Sequence, residues 1–224
     1  LKDEKTVLID TVDTAVGDLF FENLAYALGG APLDYVIVQH MEPDHSATFA
    51  RLIELYPDVT VVTSQKAAVM LKNYFGYAGQ AHLVKEGDTL SIGKRTLTFV
   101  GAPMVHWPEV LFTYVPEDGI LFSADAFGTF GAVSGSIIAD KDVFEREYLD
   151  DARRYYFNIV GKYGVQVQAV LKKAAGLKIS TVCPLHGPVW KDGFAWYLDK
   201  YLTWSAYQPE EKCVAIFYAS VYGH

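Results

Sequence analysis

The sequence predicts an α/β protein in which β-sheets pack in layers with helices on the outside. In its first third, short apolar runs alternate with stretches of helical periodicity, the mark of βα units. Its middle is rich in short β-type runs punctuated by Gly87-Asp88 and Gly93-Lys94, the mark of hairpins. Hydrophobic residues make up 51% and aromatics 14% of the 224 residues, enough to bury a substantial core and to exclude a disordered chain.

The elements follow in order. Thr6–Ile9 is expected as a strand and Phe20–Leu28 as a short helix. Tyr35–Val38 (YVIV) is apolar throughout, so a strand buried on both faces is expected, followed by a helix over Ser46–Leu55. Val59–Val62 repeats the strand signal, and Gln65 to about Phe75 the helical one. Strands are then expected at Ala81–Val84, Thr89–Ile92, Thr96–Val100, Val110–Tyr114 and Ile120–Ser123. Phe144–Val160 and Val167–Ala175 are expected helices, Thr181–Cys183 a short strand, and Phe194–Leu202 a last helix. No internal repeat or low-complexity stretch interrupts them. The polar segment Ser205–Lys212 (SAYQPEEK) breaks the pattern and is expected to be a linker. Beyond it, Val214–Tyr218 begins a fresh apolar strand. The division expected is a first domain over 1–204, a linker over 205–213 and the start of another domain over 214–224.

The formal charge of −8 argues against a general nucleic-acid surface, which needs clustered Lys and Arg. No apolar run approaches the ~20 residues of a membrane helix, and no signal-peptide pattern is present. The chain opens at Leu1 rather than methionine, so an upstream segment is expected. Two cysteines, Cys183 and Cys213, suggest no disulfide framework and a reducing cytoplasm. Cys183 is expected to be a small buried filler.

The most telling stretch is His40-Met-Glu42-Pro-Asp44-His45, four metal-binding side chains in six consecutive positions directly after a strand. A strand-to-helix loop can aim alternate side chains at one point while its flanks hold the backbone still. Imidazole mixed with carboxylate suits a borderline-to-hard divalent ion. Three later residues also fall just past apolar strands: His106 in Gly101-Ala-Pro-Met-Val-His-Trp-Pro, Asp125 after Ile120–Ser123, and His186 in Cys183-Pro-Leu-His-Gly-Pro. Each alone is as well explained as a structural histidine or a turn cap; jointly they suggest strand ends converging at one sheet edge. Counting ligands gives two ions: His40, Glu42 and His106 for one, Asp44 and His186 for the other, with Asp125 bridging. His45 is either a seventh ligand or a hydrogen-bonding group behind the ligands.

The ordered set His-x-Glu-x-Asp-His, His-Trp-Pro, Asp and Leu-His-Gly resembles the flavodiiron proteins (A-type flavoproteins) over essentially the whole chain. The resemblance implies a metallo-β-lactamase-like αββα sandwich joined to a flavodoxin-like domain that carries FMN. Superfamily hydrolases resemble His-x-His-x-Asp-His at the first motif, and here Glu42 stands at the second histidine. A carboxylate there adds negative charge and a hard oxygen donor, which favours iron in higher oxidation states. It would make a zinc-bound water less acidic, so non-haem diiron is favoured over dizinc. The resemblance further implies reduction of O2 to water or of NO to nitrous oxide, rubredoxin or a similar electron donor, and a head-to-tail homodimer. Ser220, Val221, Tyr222, Gly223 and His224 resemble the start of a flavodoxin phosphate loop and are the expected FMN contacts. An apolar pocket beside the metals is expected to admit small neutral gases.

Two rival readings remain open: a dizinc hydrolase of thioesters, lactams or phosphoesters, and a non-catalytic gas or redox sensor. Tyr155 and Tyr156 are core aromatics by default, and the resemblance allows one of them to line the metal pocket. Trp107 is expected to pack against the ligand loop, and His82 to be an ordinary surface or core histidine.

Overall fold

The structure, a computed structural model, describes residues 1–214, 216 and 219. The strand expected over Val214–Tyr218 falls mostly, and the loop Ser220–His224 wholly, outside them. Two sheets lie face to face between two layers of helices. The first is parallel, ordered β1 (Val7–Ile9), β2 (Tyr35–Val38), β3 (Thr60–Thr63) and β4 (His82–Leu83). The second is β5 (Thr89–Ser91), β6 (Thr96–Gly101), β7 (Leu111–Val115), β8 (Ile120–Phe122) and β9 (Thr181–Cys183). Its first three pairings are antiparallel and the last, β8 with β9, is parallel. This is the αββα sandwich expected.

Alternation along β2 shows how the layers form. Val36 and Val38 face α1 (Gly17–Leu28), α3 (Phe49–Leu55) and α4 (Gln65–Phe75), packing on Leu24, Leu28, Phe49, Leu52 and Leu71. Ile37 points the other way and meets Leu97, Phe99, Leu111 and Val115 of the second sheet. A strand covered on both faces needs an unbroken apolar run, and YVIV supplies it. The helices are ended by chemistry the sequence contains. Ser64 accepts the Ala67 N–H ahead of α4, and Gly29 and Gly76 close α1 and α4 in the left-handed region at φ 59° and 65°.

On the outer face of the second sheet, α5 (Lys141–Glu147), α6 (Leu149–Tyr155), α7 (Gly164–Ala174) and α8 (Phe194–Ser205) cover an aromatic core. Tyr197, Tyr201 and Trp204, at helical spacing along α8, are fully buried with Trp190 and Phe144. Burial of each such ring stabilises the fold by roughly 1.5–3 kcal/mol. Tyr156 stacks here, 4.9 Å from Tyr201 and 5.3 Å from Trp204 between ring centroids.

Helical bounds differ from expectation in several places: α1 and α7 each start three residues early, at Gly17 and Gly164, and α8 runs three residues on, to Ser205. The helix expected over Ser46–Leu55 is two: a single turn, α2 (Pro43–Ser46), and α3, with Thr48 bonded to Val12 between them. The helix expected over Phe144–Val160 starts at Lys141, because Asp140 caps the Asp142 and Val143 N–H groups, and it breaks at Tyr148. Past α8, Glu210 accepts hydrogen bonds from Arg153 Nε (2.7 Å), Lys200 Nζ (3.0 Å) and Trp204 Nε1 (2.6 Å). The Arg153 guanidinium is the main reason its carboxyl lies down at about 2. Among the described residues, no helix is long and apolar enough to cross a membrane.

Candidate metal centre

Four strands deliver the ligands to one edge of the sandwich. β6, β8 and β9 run in the same direction, so their C-terminal ends share that edge, and Leu111 N donates to Gln39 O to bring the end of β2 beside them. His40 and Glu42 follow β2 on extended backbone, which turns their side chains to the same side. Pro43 then starts α2, whose single turn presents Asp44 and His45. Ser46 Oγ donates to the carbonyls of Met41 and Glu42, and Thr11 donates to that of His45, fixing the turn. His106 lies in a closed loop pinned by Met104 N to Trp107 O and Ala102 N to Val110 O. Leu185 N donates to Ala124 O, joining the Asp125 and His186 loops.

The side chains form two adjacent groups. His40, Glu42, His106 and Asp125 have donor atoms mutually within 4.8 Å, as do Asp44, His45 and His186. Asp125 joins the groups: Oδ2 lies 3.0 Å from His106 Nε2 and 3.3 Å from His40 Nε2, while Oδ1 lies 3.1 Å from His45 Nε2 and 3.6 Å from His186 Nε2. The structure therefore brings together His40, Glu42, Asp44, His106, Asp125 and His186. It sets His45 among them, 3.3 Å from Asp44 and 3.0 Å from His186 Nε2.

The electrostatics suit the binding of cations. Burial opposes charge on His40, yet Asp125, Glu109 and Glu42 raise it to about 11. His106, likewise opposed by burial, is raised to about 9 by Asp125 and Glu42. Contact with His106 and then His40 lowers Glu42 to about 2. Asp125 is buried, which favours its neutral form, but His106, His40 and His45 hold it far below the carboxylate range. Ring nitrogens meet at 3.3 Å (His40 and His106) and 3.0 Å (His45 and His186), close enough for each pair to face one ion. Asp44 Oδ1 is buried without a hydrogen-bond partner among the described residues. Imidazoles facing carboxylates, with this unpartnered oxygen among them, fit two ions of borderline hardness.

Sequence reasoning missed two buried carboxyls behind the ligands. Glu109 Oε1 lies 2.9 Å from His40 Nδ1 and accepts the Met41 N–H at 2.9 Å. Asp10 accepts the Gln39 N–H at 2.7 Å and the His40 N–H at 3.3 Å, and burial pushes it up to about 6. The one signal for Glu109 is a lone acid in the apolar run Trp107-Pro-Glu-Val, three residues after His106. Trp107 meets the His40 ring edge-on at 5.3 Å, in the packing role expected for it. His82 is exposed on β4. Cys183 ends β9 half-buried.

Of the two tyrosines, Tyr155 borders the ligands, with its ring centroid 5.5 Å from that of His186. Burial first, then Asp125, Glu42 and Asp44, push its hydroxyl far above the ordinary range, so it stays protonated. The hydroxyl has no partner among the described residues. Tyr155→Phe is therefore expected to leave metal content unchanged and to shift stability by under about 1 kcal/mol, because no hydrogen bond is lost. Denaturant unfolding and elemental analysis check this. The apolar pocket expected beside the metals is not matched by the cavity of about 500 Å³ between α7 and α8, which no ligand lines.

Known proteins resemble this chain in sequence and fold. The family described as ODP family beta lactamase matches residues 1–187. A nitric oxide reductase of Moorella thermoacetica is 34% identical over 218 residues, 96% of this chain and 54% of that protein. The structure of the flavodiiron protein from Giardia intestinalis superposes with a TM-score of 0.84 at 32% identity, covering 92% of this chain and 50% of that one. That of rubredoxin oxygen:oxidoreductase from Desulfovibrio gigas gives 0.85 at 30% identity, covering 93% and 53%. The chain spans about half the length of the curated relatives it matches. It belongs to the ODP beta-lactamase family, and its relatives and structural neighbours are flavodiiron proteins.

Proposed function

We propose that this chain is the metal-holding part of a reductase that converts O2 to water or NO to nitrous oxide at a non-haem iron pair. The carrying observation is Asp125, one carboxylate with an oxygen turned to each ligand group. His40, Glu42 and His106 would hold one ion, Asp44, His45 and His186 the other, and Asp125 both. Bound there, the iron pair supplies electrons to a small oxidant. Three carboxylates offset most of the charge of two divalent ions, so the buried centre is tolerable without further counter-charge. Glu42 makes the donor set harder and more anionic than one of histidines alone, which disfavours water activation and with it the dizinc hydrolase. Tyr155, protonated beside His186, is placed to donate a hydrogen bond into the site, and Trp107 shields the His40 side from water.

In this reading the first domain spans 1–204 and the segment 205–213 links it to a flavodoxin-like domain opening at 214. Ser220–His224 would help to hold FMN, which would supply electrons taken from rubredoxin or a similar donor. The relatives' names support both substrates: nitric oxide for the Moorella protein, oxygen and rubredoxin for the Desulfovibrio one. A head-to-tail homodimer would bring the flavin of one chain to the iron of another, within a reducing cytoplasm. The test is metal quantification on the whole protein, with O2 and NO consumption measured side by side. Iron near two per chain with multiple turnovers is expected. Zinc with hydrolytic turnover, or stoichiometric gas binding without turnover, would overturn the reading in favour of a hydrolase or a sensor.

A further inference from the structure

We infer that the two ligand groups hold their ions unequally, and that Glu109 is the positioning residue that makes the His40 group the tighter. The inference rests on the metal-pair reading above. Glu109 and His40 side chains are both wholly buried, with Oε1 and Nδ1 2.9 Å apart. A carboxylate oxygen only accepts, so Nδ1 carries the hydrogen. That leaves Nε2, which faces Glu42, His106 and Asp125, as the atom that would offer a lone pair once an ion displaces its proton.

The backbone is held by the same device. Asp10 takes the N–H groups of Gln39 and His40, and Glu109 that of Met41. Three successive amides of the ligand loop are thus tied to two buried carboxyls from separate parts of the chain. His40 has no freedom left to lose when an ion binds, so little of the binding free energy is spent on ordering it.

The other group lacks this support. Side chains of Asp44 and His186 are 40% and 32% exposed and only His45, at 5%, is buried, whereas in the other group His40 and His106 are 0% and 10% exposed and Glu42 alone, at 32%, is open. No ligand imidazole other than His40 has a carboxyl at its Nδ1 among the described residues. Water and competing chelators reach Asp44 and His186 first. Its ion is the one that leaves first.

The test loads the metal-stripped protein with Co(II) alone, dialyses it against graded chelator and counts the ions retained. Two steps are expected, from two ions to one and then to none. In Glu109→Ala the later step moves to roughly 10- to 100-fold lower chelator, the usual cost of removing a carboxylate behind a ligating histidine. Glu109→Gln, whose amide oxygen still accepts from Nδ1, restores most of the step and covers the case in which Glu109→Ala fails to fold. Proton spectra of the Co(II) protein give an independent readout. One shifted imidazole N–H exchanges slowly in wild type and in Glu109→Gln, and is lost in Glu109→Ala. His186→Ala removes the early step and leaves that resonance in place. Simultaneous release of both ions, or a later step unchanged in Glu109→Ala, overturns the inference while leaving the metal pair standing. Failure to bind Co(II) or Fe(II) at all overturns the metal reading itself, and the inference with it.

Discussion

Asp125→Ala is expected to empty both ligand groups at once. The carboxylate places Oδ2 against His40 and His106 and Oδ1 against His45 and His186, so one side chain faces both groups. Loss of a carboxylate behind a ligand already costs 10- to 100-fold, so loss of a shared ligand is expected to weaken each group by at least about 100-fold. His186→Ala is expected to cost one ion only. Elemental analysis after dialysis separates the two outcomes. Asp125→Asn, which keeps size and one oxygen, guards against a folding defect, because losing a carboxylate from among buried imidazoles also destabilises the metal-free fold. Two ions retained by a folded Asp125→Ala protein would remove the bridging role.

The second large effect is an alkaline instability confined to the metal-free protein. His40 and His106 lie at about 11 and about 9 in the fold, both above the 6.5 of a free imidazole. Their contribution to stability is complete below pH 6.5 and is lost as pH rises through 9 and then 11. Asp10, raised to about 6, has the same sign, losing stability as pH climbs from its ordinary 3.8 through 6. Glu42, lowered to about 2, has the opposite sign, and its contribution fails only as pH falls from 4.5 towards 2. Metal-free protein is therefore expected to melt on the order of 5–10 °C lower at pH 9.5 than at pH 6. Metal-loaded protein is expected to show no such fall, since ions replace the protons that hold the carboxylates together. Paired thermal scans at the two pH values, with and without metal, check both halves. An equal fall in each would mean that the ligands do not carry the effect.

How much of this the sequence discloses depends on whether the signal is local. Tyr35–Val38 and Thr181–Cys183 are read at their true bounds, because a short apolar run between breakers has one sensible fate. The ligand cluster is legible for a similar reason: four donors in six positions exceed what any turn needs. Contacts across the chain are not legible. The break between α2 and α3 depends on Thr48 reaching Val12, 36 residues away. The early start of α5 is legible in the sequence through Asp140, a cap four residues before the expected start at Phe144. Glu109 and Asp10 escape because a single acid has no spacing to betray it. Burial makes them matter, and burial exists only once both sheets have closed. The choice between Tyr155 and Tyr156 is of the same kind. Neighbours in sequence on a helix point to different places, one to His186 and the other to Trp204.

Glu210 has a mechanical consequence. Its grip on Arg153 of α6 and on Lys200 and Trp204 of α8 acts as a cleat on the outgoing chain. Tension applied from further along is borne first by that carboxylate and shared between two helices, before it can unravel the last turn of α8. On the proposed reading of 205–213 as a linker, the tether would begin at Glu210, with a shorter swing and a narrower cone of approach than its polar composition alone would allow.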